Sequence, residues 1–283
     1  MQIIKTVKGV QDISRWFRCE GKFIGFVPTM GALHEGHLSL IRRSREENDR
    51  TIVSIFVNPT QFGPNEDFQK YPRDIEADLS KLSALQVDAV FMPEPEEMYP
   101  EGFSVSIDIG DTGRSLCGAS RPGHFNAVAT VVAKLLNISM PHIMYLGQKD
   151  FQQTVVIKKL VRDLNFDMNI VVCPTVREHD GLAMSSRNVY LSGEERKASL
   201  VLYKALKLGE EIIMSNGLDD ISAVKKEMEA LIKSEPLAKI DYVTVVDPYN
   251  LAPVQKVIFA AAICVAVKIG KTRLIDNIII EKS

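Results

Sequence analysis

The sequence predicts an α/β fold in which a doubly wound parallel sheet is followed by a smaller α+β domain. From Phe23 to Val176, short apolar runs rich in β-branched residues alternate with segments of helical period, which is typical of parallel sheets covered by helices. After a polar loop at residues 177–195, helical patterns come first and strand patterns follow. The domain boundary is therefore predicted near residue 177, with domains at residues 1–176 and 177–283.

The elements of each domain follow from the same patterns. Five strands are predicted in the first domain, at residues 23–29, 51–58, 87–93, 142–147 and 169–175. Three intervening helices are predicted at residues 73–85, 125–137 and 152–164. In the second domain, Val201, Ala205, Leu208 and Ile212 recur at helical spacing, and strands are predicted at residues 240–248, 256–270 and 272–280.

Charge and cysteine content exclude several classes of protein. The 34 Lys and Arg against 36 Asp and Glu give a formal net charge of -2, so no general basic field attracts nucleic acid or anionic membranes. The four cysteines form no CxxC pair, which is unlike a disulfide scaffold or a zinc cluster. The first residues lack a long apolar stretch behind a basic leader, so we expect a cytoplasmic protein.

The segment PTMGALHEGHLSLI lies between a predicted strand and a helix. His34 and His37 share one face of a helical first turn, where free backbone N–H groups bind phosphate oxygens. Gly31 and Gly36 leave room for a nucleotide. By itself this is equally a tight turn with two exposed histidines, but it follows an early strand, where open α/β folds bind their ligands. Zinc is the weaker interpretation, because HEGH lacks the HExxH spacing.

A second loop, LAMSSRN at residues 182–188, supplies hydroxyl groups and a guanidinium that suit anionic oxygens. Alone it is typical of an ordinary polar loop. With HEGH it resembles the HxGH superfamily of nucleotidyltransferases and class I aminoacyl-tRNA synthetases, which form adenylates on a Rossmann-like domain and share a later loop of the KMSKS type.

Three further stretches narrow the resemblance. VNPTQFGPNEDFQKYPRD, GRSLCGASRPGHFNAVATVV and YLGQKDFQQ, in that order between the two loops, look like the pantothenate synthetase family. The resemblance covers nearly all of the first domain and the linking loop, and it is weak over the last ninety or so residues. It implies a ligase that condenses pantoate with β-alanine through a pantoyl-adenylate, releasing AMP and pyrophosphate, and a homodimer whose C-terminal domain is a lid.

The resemblance also implies roles for individual residues. His37, His34 and Lys149 would be catalytic, with His37 the better placed of the two histidines. Gln61 and Gln153 would bind pantoate. The implied ATP-binding residues are Met30, Gly31, Ala32, Leu33, His34, Glu35, Gly36, His37, Gly147, Gln148, Lys149, Asp150, Val176, Met184, Ser185, Ser186 and Arg187.

Two further residues have open alternatives. Mg²⁺ is expected with ATP, and Asp78 is a candidate ligand by resemblance, although an acidic residue at that spacing also fits a solvated helix face. Arg121 in RPGHF either contacts pantoate's carboxylate or a phosphate, or lies in solvent beside a turn.

Three other functions remain to be distinguished. A nucleotidyltransferase would join AMP to a phosphorylated precursor and stop there. A tRNA synthetase is disfavoured because the chain is short and shows no basic RNA surface. An ATP-sensing module would bind nucleotide without producing AMP.

Overall fold

The structure, a computed structural model, describes residues 1–64, 66–215 and 220–282. The chain divides into two compact units. Met1–Gly147 and Val156–Pro174 form the first unit, and Gln148–Val155 and Thr175–Ser283 form the second. The predicted boundary near residue 177 lies close to the third crossing between units, from Pro174 to Thr175. The sequence patterns placed Gln148–Val155 in the first domain, whereas in the structure these residues belong to the second unit.

The first unit contains a six-stranded parallel sheet in the order β1-β4-β3-β2-β5-β6. Its strands are β1 Gln2–Ile4, β2 Ile24–Thr29, β3 Arg50–Ile55, β4 Ala89–Phe91, β5 Ile143–Gly147 and β6 Asn169–Cys173. The chain runs outward from β2 through β3 to β4 and then returns to β5 on the other side of β2. The strand order therefore reverses at β2, and open α/β sheets bind ligands beyond the carboxyl ends of the strands at such a point.

The helices of the described chain follow the apolar periodicity of the sequence. They are α1 Val7–Cys19, α2 Glu35–Glu47, α3 Ile75–Ala84, α4 Pro95–Met98, α5 Cys117–Ser120, α6 His124–Ser139, α7 Phe151–Asp163, α8 Gly193–Ala198, α9 Val201–Ser215 and α10 Ile221–Lys233. The first unit's core includes Val27, Ile41, Val53 and Leu82, all fully buried. These residues come from β2, β3, α2 and α3, so the helices cover strands that are apolar throughout.

Close packing of α2 on β2 depends on Gly25. A Cβ at this position would lie 2.2 Å from Ser44 Oγ and 2.7 Å from Asn48 Nδ2. Because no real Cβ approaches other atoms so closely, only glycine lets the last turns of α2 lie against the strand.

The second unit contains a three-stranded antiparallel sheet in the order β7-β8-β9, formed by Ala238–Val246, Ala260–Ile269 and Thr272–Glu281. Helices α9 and α10 pack on this sheet through Ala205, Leu206, Val224 and Met228. The predicted α/β class with a smaller C-terminal α+β part is confirmed. The sequence analysis did not predict β1 and α1, and the observed strands are mostly shorter than predicted.

Within the described ranges, no helix is both long and apolar enough to cross a membrane.

Candidate functional site

The loop between β2 and α2 begins at the strand-order reversal and has a special backbone. Gly31 has a φ of 79°, and Ala32 has a φ of 50°, so two successive residues lie in the left-handed region. This region is costly for alanine, and such a conformation persists only where other contacts enforce it. The enforcing contacts come from α3.

Asp78 on α3 fixes this loop. Its carboxylate oxygens accept hydrogen bonds from the backbone N–H of Ala32 at 2.8 Å and of Leu33 at 2.7 Å. Lys81, one turn later on α3, donates to the Leu33 carbonyl at 2.7 Å. Asp78 is only 2% exposed, so these bonds compensate for burying its charge. The loop that precedes HEGH is therefore held by a segment about 45 residues away.

His34 and His37 lie together at the start of α2, with ring centroids 4.1 Å apart. His34 is the N-cap, and its Nδ1 accepts a bond from the Gly36 N–H at 3.2 Å. His37 Nδ1 faces the His34 N–H at 3.4 Å. Since both Nδ1 atoms act as acceptors, each neutral ring carries its proton on Nε2. Glu35, between them, is exposed and pairs with Arg42, which lowers its pKa.

The arrangement around Asp78 does not fit direct coordination of magnesium. Each oxygen already accepts a short backbone bond, and the side chain is enclosed. Among the described residues, no group of three or more His, Cys, Asp or Glu side chains is placed to hold a metal ion. Residues of this chain thus supply loop geometry here, and Mg²⁺ is expected to enter with the phosphates of ATP.

Gln61 ends a short 3₁₀ helix, Pro59–Gln61, that follows β3. The buried Asn58 caps this helix, and its Oδ1 accepts bonds from the Thr60 N–H at 3.4 Å and from the Tyr99 hydroxyl at 2.8 Å. The predicted pantoate residue therefore lies beyond the carboxyl end of β3, in the same unit as HEGH.

Arg121 is occupied by partners within the first unit. Its Nε and NH2 groups each donate to the Glu66 carboxylate at 2.6 Å, and NH2 also donates to the Gln61 carbonyl at 3.3 Å. Its NH1 lies 2.9 Å from His124 Nε2. Because a guanidinium only donates, His124 accepts at Nε2, carries its proton on Nδ1 and donates it to the Gln61 carbonyl at 2.9 Å. Arg121 thus belongs to a network around the Gln61 main chain, and its contact with substrate stays a prediction.

Glu66 titrates differently in this network from a free glutamate. Burial would raise its pKa, but the hydrogen bonds and charge of Arg121 outweigh burial, and the pKa is lowered. The ion pair between Glu66 and Arg121 therefore persists well into the acid range.

The second unit contains the other predicted ATP-binding segments. Gln148–Asp150 form a 3₁₀ turn directly after β5, and Lys149 Nζ lies 3.4 Å from Asp150 Oδ1. Gln153 lies in the first turn of α7, just after this turn, so the predicted phosphate-binding and pantoate-binding residues share one short stretch of chain.

Val176 and Met184 are brought together by a hairpin in the second unit. The Met184 N–H donates to the Val176 carbonyl at 3.0 Å, and Arg177 pairs with Ala183 in a bridge. Ser185 then caps the 3₁₀ helix Ser186–Tyr190 by accepting a bond from the Arg187 N–H at 3.3 Å. The predicted adenine contact and the predicted triphosphate loop are therefore parts of one structure.

The sequence analysis missed the function of Asp78 in the loop and the pair formed by Glu66. It also missed Asn277 in β9, which donates to the carbonyls of the Gln148–Asp150 turn. The sequence shows Asp78 as an acidic residue in the first turn of a predicted helix, but its partners Ala32 and Leu33 lie about 45 residues earlier in the chain. The last ninety residues offered no motif that singled out Asn277.

Comparison with known proteins identifies the family. The model of the pantoate-beta-alanine ligase family matches residues 2–279. The chain belongs to the pantoate–β-alanine ligase family. It is therefore a ligase of pantothenate biosynthesis with an ATP-binding function.

Relatives and solved structures of the pantoate–β-alanine ligase family match along their whole length. The chain is 53% identical to the pantothenate synthetase of Thermodesulfovibrio yellowstonii, over 99% of this chain and 100% of the relative. Pantothenate synthetase from Thermus thermophilus superposes with a TM-score of 0.92 at 43% identity, covering 98% of this chain and 99% of the other. The pantoate-beta-alanine ligase of Francisella tularensis, solved with beta-gamma ATP and beta-alanine, gives a TM-score of 0.80 at 39% identity, covering 98% and 97%.

Replacing Asp78 with Asn tests the two roles of this residue. The amide oxygen can keep one backbone bond, but its NH₂ group would face the second N–H donor. We expect the free energy of unfolding, measured by urea titration, to fall by about 1–3 kcal/mol. The Mg²⁺ concentration for half-maximal activity should stay unchanged, whereas a direct metal ligand would shift it several-fold. Asp74→Asn on the same helix is the control, because Asn caps a helix as well as Asp does.

Replacing Glu66 with Gln tests the network around Gln61. Because the pKa of Glu66 is lower in the folded state than in the unfolded state, the charged carboxylate stabilises the fold. This stabilisation is complete above the ordinary glutamate pKa of about 4.3, and it is lost as pH falls through the folded-state pKa. At pH 7, the free energy of unfolding measured in urea should be about 1–3 kcal/mol lower in the variant than in wild type. This difference should become smaller below about pH 4.

The matched control is Asp108→Asn, which removes an exposed pair with Arg114 in the same unit and should cost at most about 1 kcal/mol. A difference between Glu66→Gln and wild type that stays constant from pH 7 to pH 3.5 would contradict the assigned titration.

Proposed function

We propose that the chain condenses pantoate with β-alanine at the expense of ATP, through a pantoyl-adenylate, and releases pyrophosphate and AMP. The observation that supports this most is the family match over residues 2–279, which includes both predicted nucleotide loops and the three stretches between them. The Francisella tularensis relative, solved with beta-gamma ATP and beta-alanine, supports ATP and β-alanine as substrates.

In the first half-reaction, a carboxylate oxygen of pantoate attacks the α-phosphorus of ATP. The bond from the α-phosphorus to the bridging oxygen breaks, and pyrophosphate leaves. Two anions approach each other in this step, so the enzyme must supply donors and positive charge without protonating the nucleophile. The N–H groups at the start of α2, His34, His37 and Lys149 are groups of this kind.

In the second half-reaction, the neutral amine of β-alanine attacks the acyl carbon of the adenylate. The carbon–oxygen bond to AMP breaks, the amide bond forms, and the amine loses its proton. Gln61 and Gln153 bind pantoate throughout, because amide groups recognise hydroxyl and carboxylate oxygens without adding charge. Positioning and electrostatics supply most of the rate enhancement.

The proposed ATP-binding residues follow the HEGH turn, the turn after β5 and the hairpin loop. They are Met30 to His37, Gly147 to Asp150, Val176 and Met184 to Arg187. We also infer that the enzyme acts in the cytoplasm as a homodimer. The four cysteines are free thiols, which agrees with a reducing compartment.

Isotope exchange tests the adenylate step. Labelled pyrophosphate should enter ATP when pantoate and Mg-ATP are present, with no need for β-alanine, because the first half-reaction is reversible by itself. AMP and an amide product should appear only when β-alanine is added. Exchange that requires β-alanine would contradict a free-standing adenylate, and nucleotide binding without AMP under any condition would favour an ATP-binding module.

Replacing His37 with Ala tests the catalytic role of the HEGH turn. The pantoate-dependent exchange rate should fall by about 10²-fold or more, since the imidazole stabilises charge in the transition state. Thermal unfolding of the variant should still show a cooperative transition, so that a loss of exchange reports on the reaction and not on folding. Ser39→Ala, two residues later in α2, is the control and should exchange like wild type. Wild-type turnover in His37→Ala would remove His37 from the mechanism.

A further inference from the structure

We infer that Asn277 is a positioning residue for ATP: it fixes the turn Gln148–Asp150 from β9, and the ion pair of Arg177 with the buried Asp276 holds it in place. This inference rests on the proposed function, in which that turn binds the ribose and phosphates of ATP. It concerns the second unit alone, and it assigns a function to the C-terminal strand, where the sequence carries no recognisable motif.

Asn277 directs its whole amide at the turn. Its Nδ2 donates to the carbonyls of Gln148 and Lys149, both at 3.0 Å, and its Oδ1 accepts a bond from Gln148 Nε2 at 3.3 Å. Asn277 is 2% exposed. The two carbonyls belong to successive peptide groups, so neither can rotate without leaving a buried donor unpaired. The peptide planes from which Lys149 and Asp150 project are thereby fixed.

Asn277 is itself held by an ion pair between the partly buried Arg177 and the buried Asp276. Arg177 donates to Asp276 through NH1 at 2.6 Å and NH2 at 3.0 Å, and NH2 also donates to the Asn277 carbonyl at 3.3 Å. Asp276, 4% exposed, accepts a further bond at 2.8 Å from the Asn277 N–H. The guanidinium lies over the Tyr203 ring at 4.3 Å. The backbone of Asn277 therefore has partners on both its N–H and its carbonyl.

The same guanidinium reaches the hairpin that carries the second nucleotide loop. Arg177 NH1 donates to the Gly181 carbonyl at 3.1 Å, across the tip of the hairpin that pairs Val176 with Met184. Gly181 has a φ of 97°, and a Cβ there would lie 2.2 Å from the Tyr203 ring. The ion pair of Arg177 and Asp276 thus fixes the turn at Gln148–Asp150, through Asn277, and the hairpin that leads to Met184–Arg187.

Asn277→Asp is the first test variant. It keeps the size of the side chain but places a carboxylate oxygen against two carbonyl oxygens, so the turn loses both bonds. We expect KM for ATP in pantoate-dependent exchange to rise about tenfold or more, with a smaller change in kcat at saturating ATP. Calorimetric titration with Mg-ATP alone should show a matching rise in Kd. Asn277→Ser, which removes the amide without adding a charge, replaces it if the aspartate variant fails to fold.

Arg273→Ala is the matched control. Arg273 lies on the same strand and pairs with Asp241 of β7, on the far side of β8, at 2.7 Å, so its loss perturbs β9 without touching the turn. This variant should bind ATP like wild type. A purely structural role for Asn277 would lower the thermal midpoint of the Asn277 variant and leave its KM and Kd for ATP unchanged.

The outcomes separate this inference from the proposed function. Wild-type protein that binds ATP without catalysing exchange would contradict the proposed function. The role of Asn277 would then still be tested by comparing the Kd for ATP of the variant with that of wild type. A folded Asn277 variant with wild-type KM and Kd would overturn the inference while exchange in the wild type upholds the function. Wild-type protein that does not bind ATP would reject both.

Discussion

The geometry of the first unit depends on one buried carboxylate. Asp78 accepts the N–H groups of two successive loop residues and so enforces left-handed conformations at Gly31 and Ala32. Burying a charge is unfavourable, and the short backbone bonds offset that cost only in this loop conformation. The direction in which the chain enters α2, and with it the position of His34 and His37, is therefore fixed by an interaction between segments distant in sequence.

The second unit also contains a buried carboxylate that fixes a loop, and this carboxylate belongs to Asp276. Asp276 also accepts a backbone N–H, but its charge is balanced by the bidentate Arg177, whereas Asp78 accepts two backbone N–H groups and has a single longer ion pair with Lys81 at 3.9 Å. Burial raises the pKa of Asp276, and Arg177 partly offsets this effect. In each unit, a loop predicted to bind ATP is shaped by an acid that is enclosed by protein.

The sequence predicted those features that depend on local pattern. Strands such as β2 and β3 are long β-branched runs buried on both faces, so their existence and parallel class followed from composition. Strand β1 has three residues and was too short to stand out, and α1 begins at Val7 within a segment analysed only for targeting signals. The loops of the site were found by motif. Asp78, Glu66 and Asn277 were missed or given other roles because their partners lie 45 to 129 residues away, and single-sequence periodicity carries no information at that range.

The glycine at position 25 has an effect that reaches beyond its own strand. It admits the C-terminal turns of α2, while the histidines lie at the opposite end of that helix, about 10 Å from Ser44 along the axis. A methyl group at residue 25 would have to displace the Ser44 side chain, which is fully buried and hydrogen-bonded to Thr51 of β3. A sequence position with no chemistry of its own thus sets how closely this helix approaches two strands of the sheet.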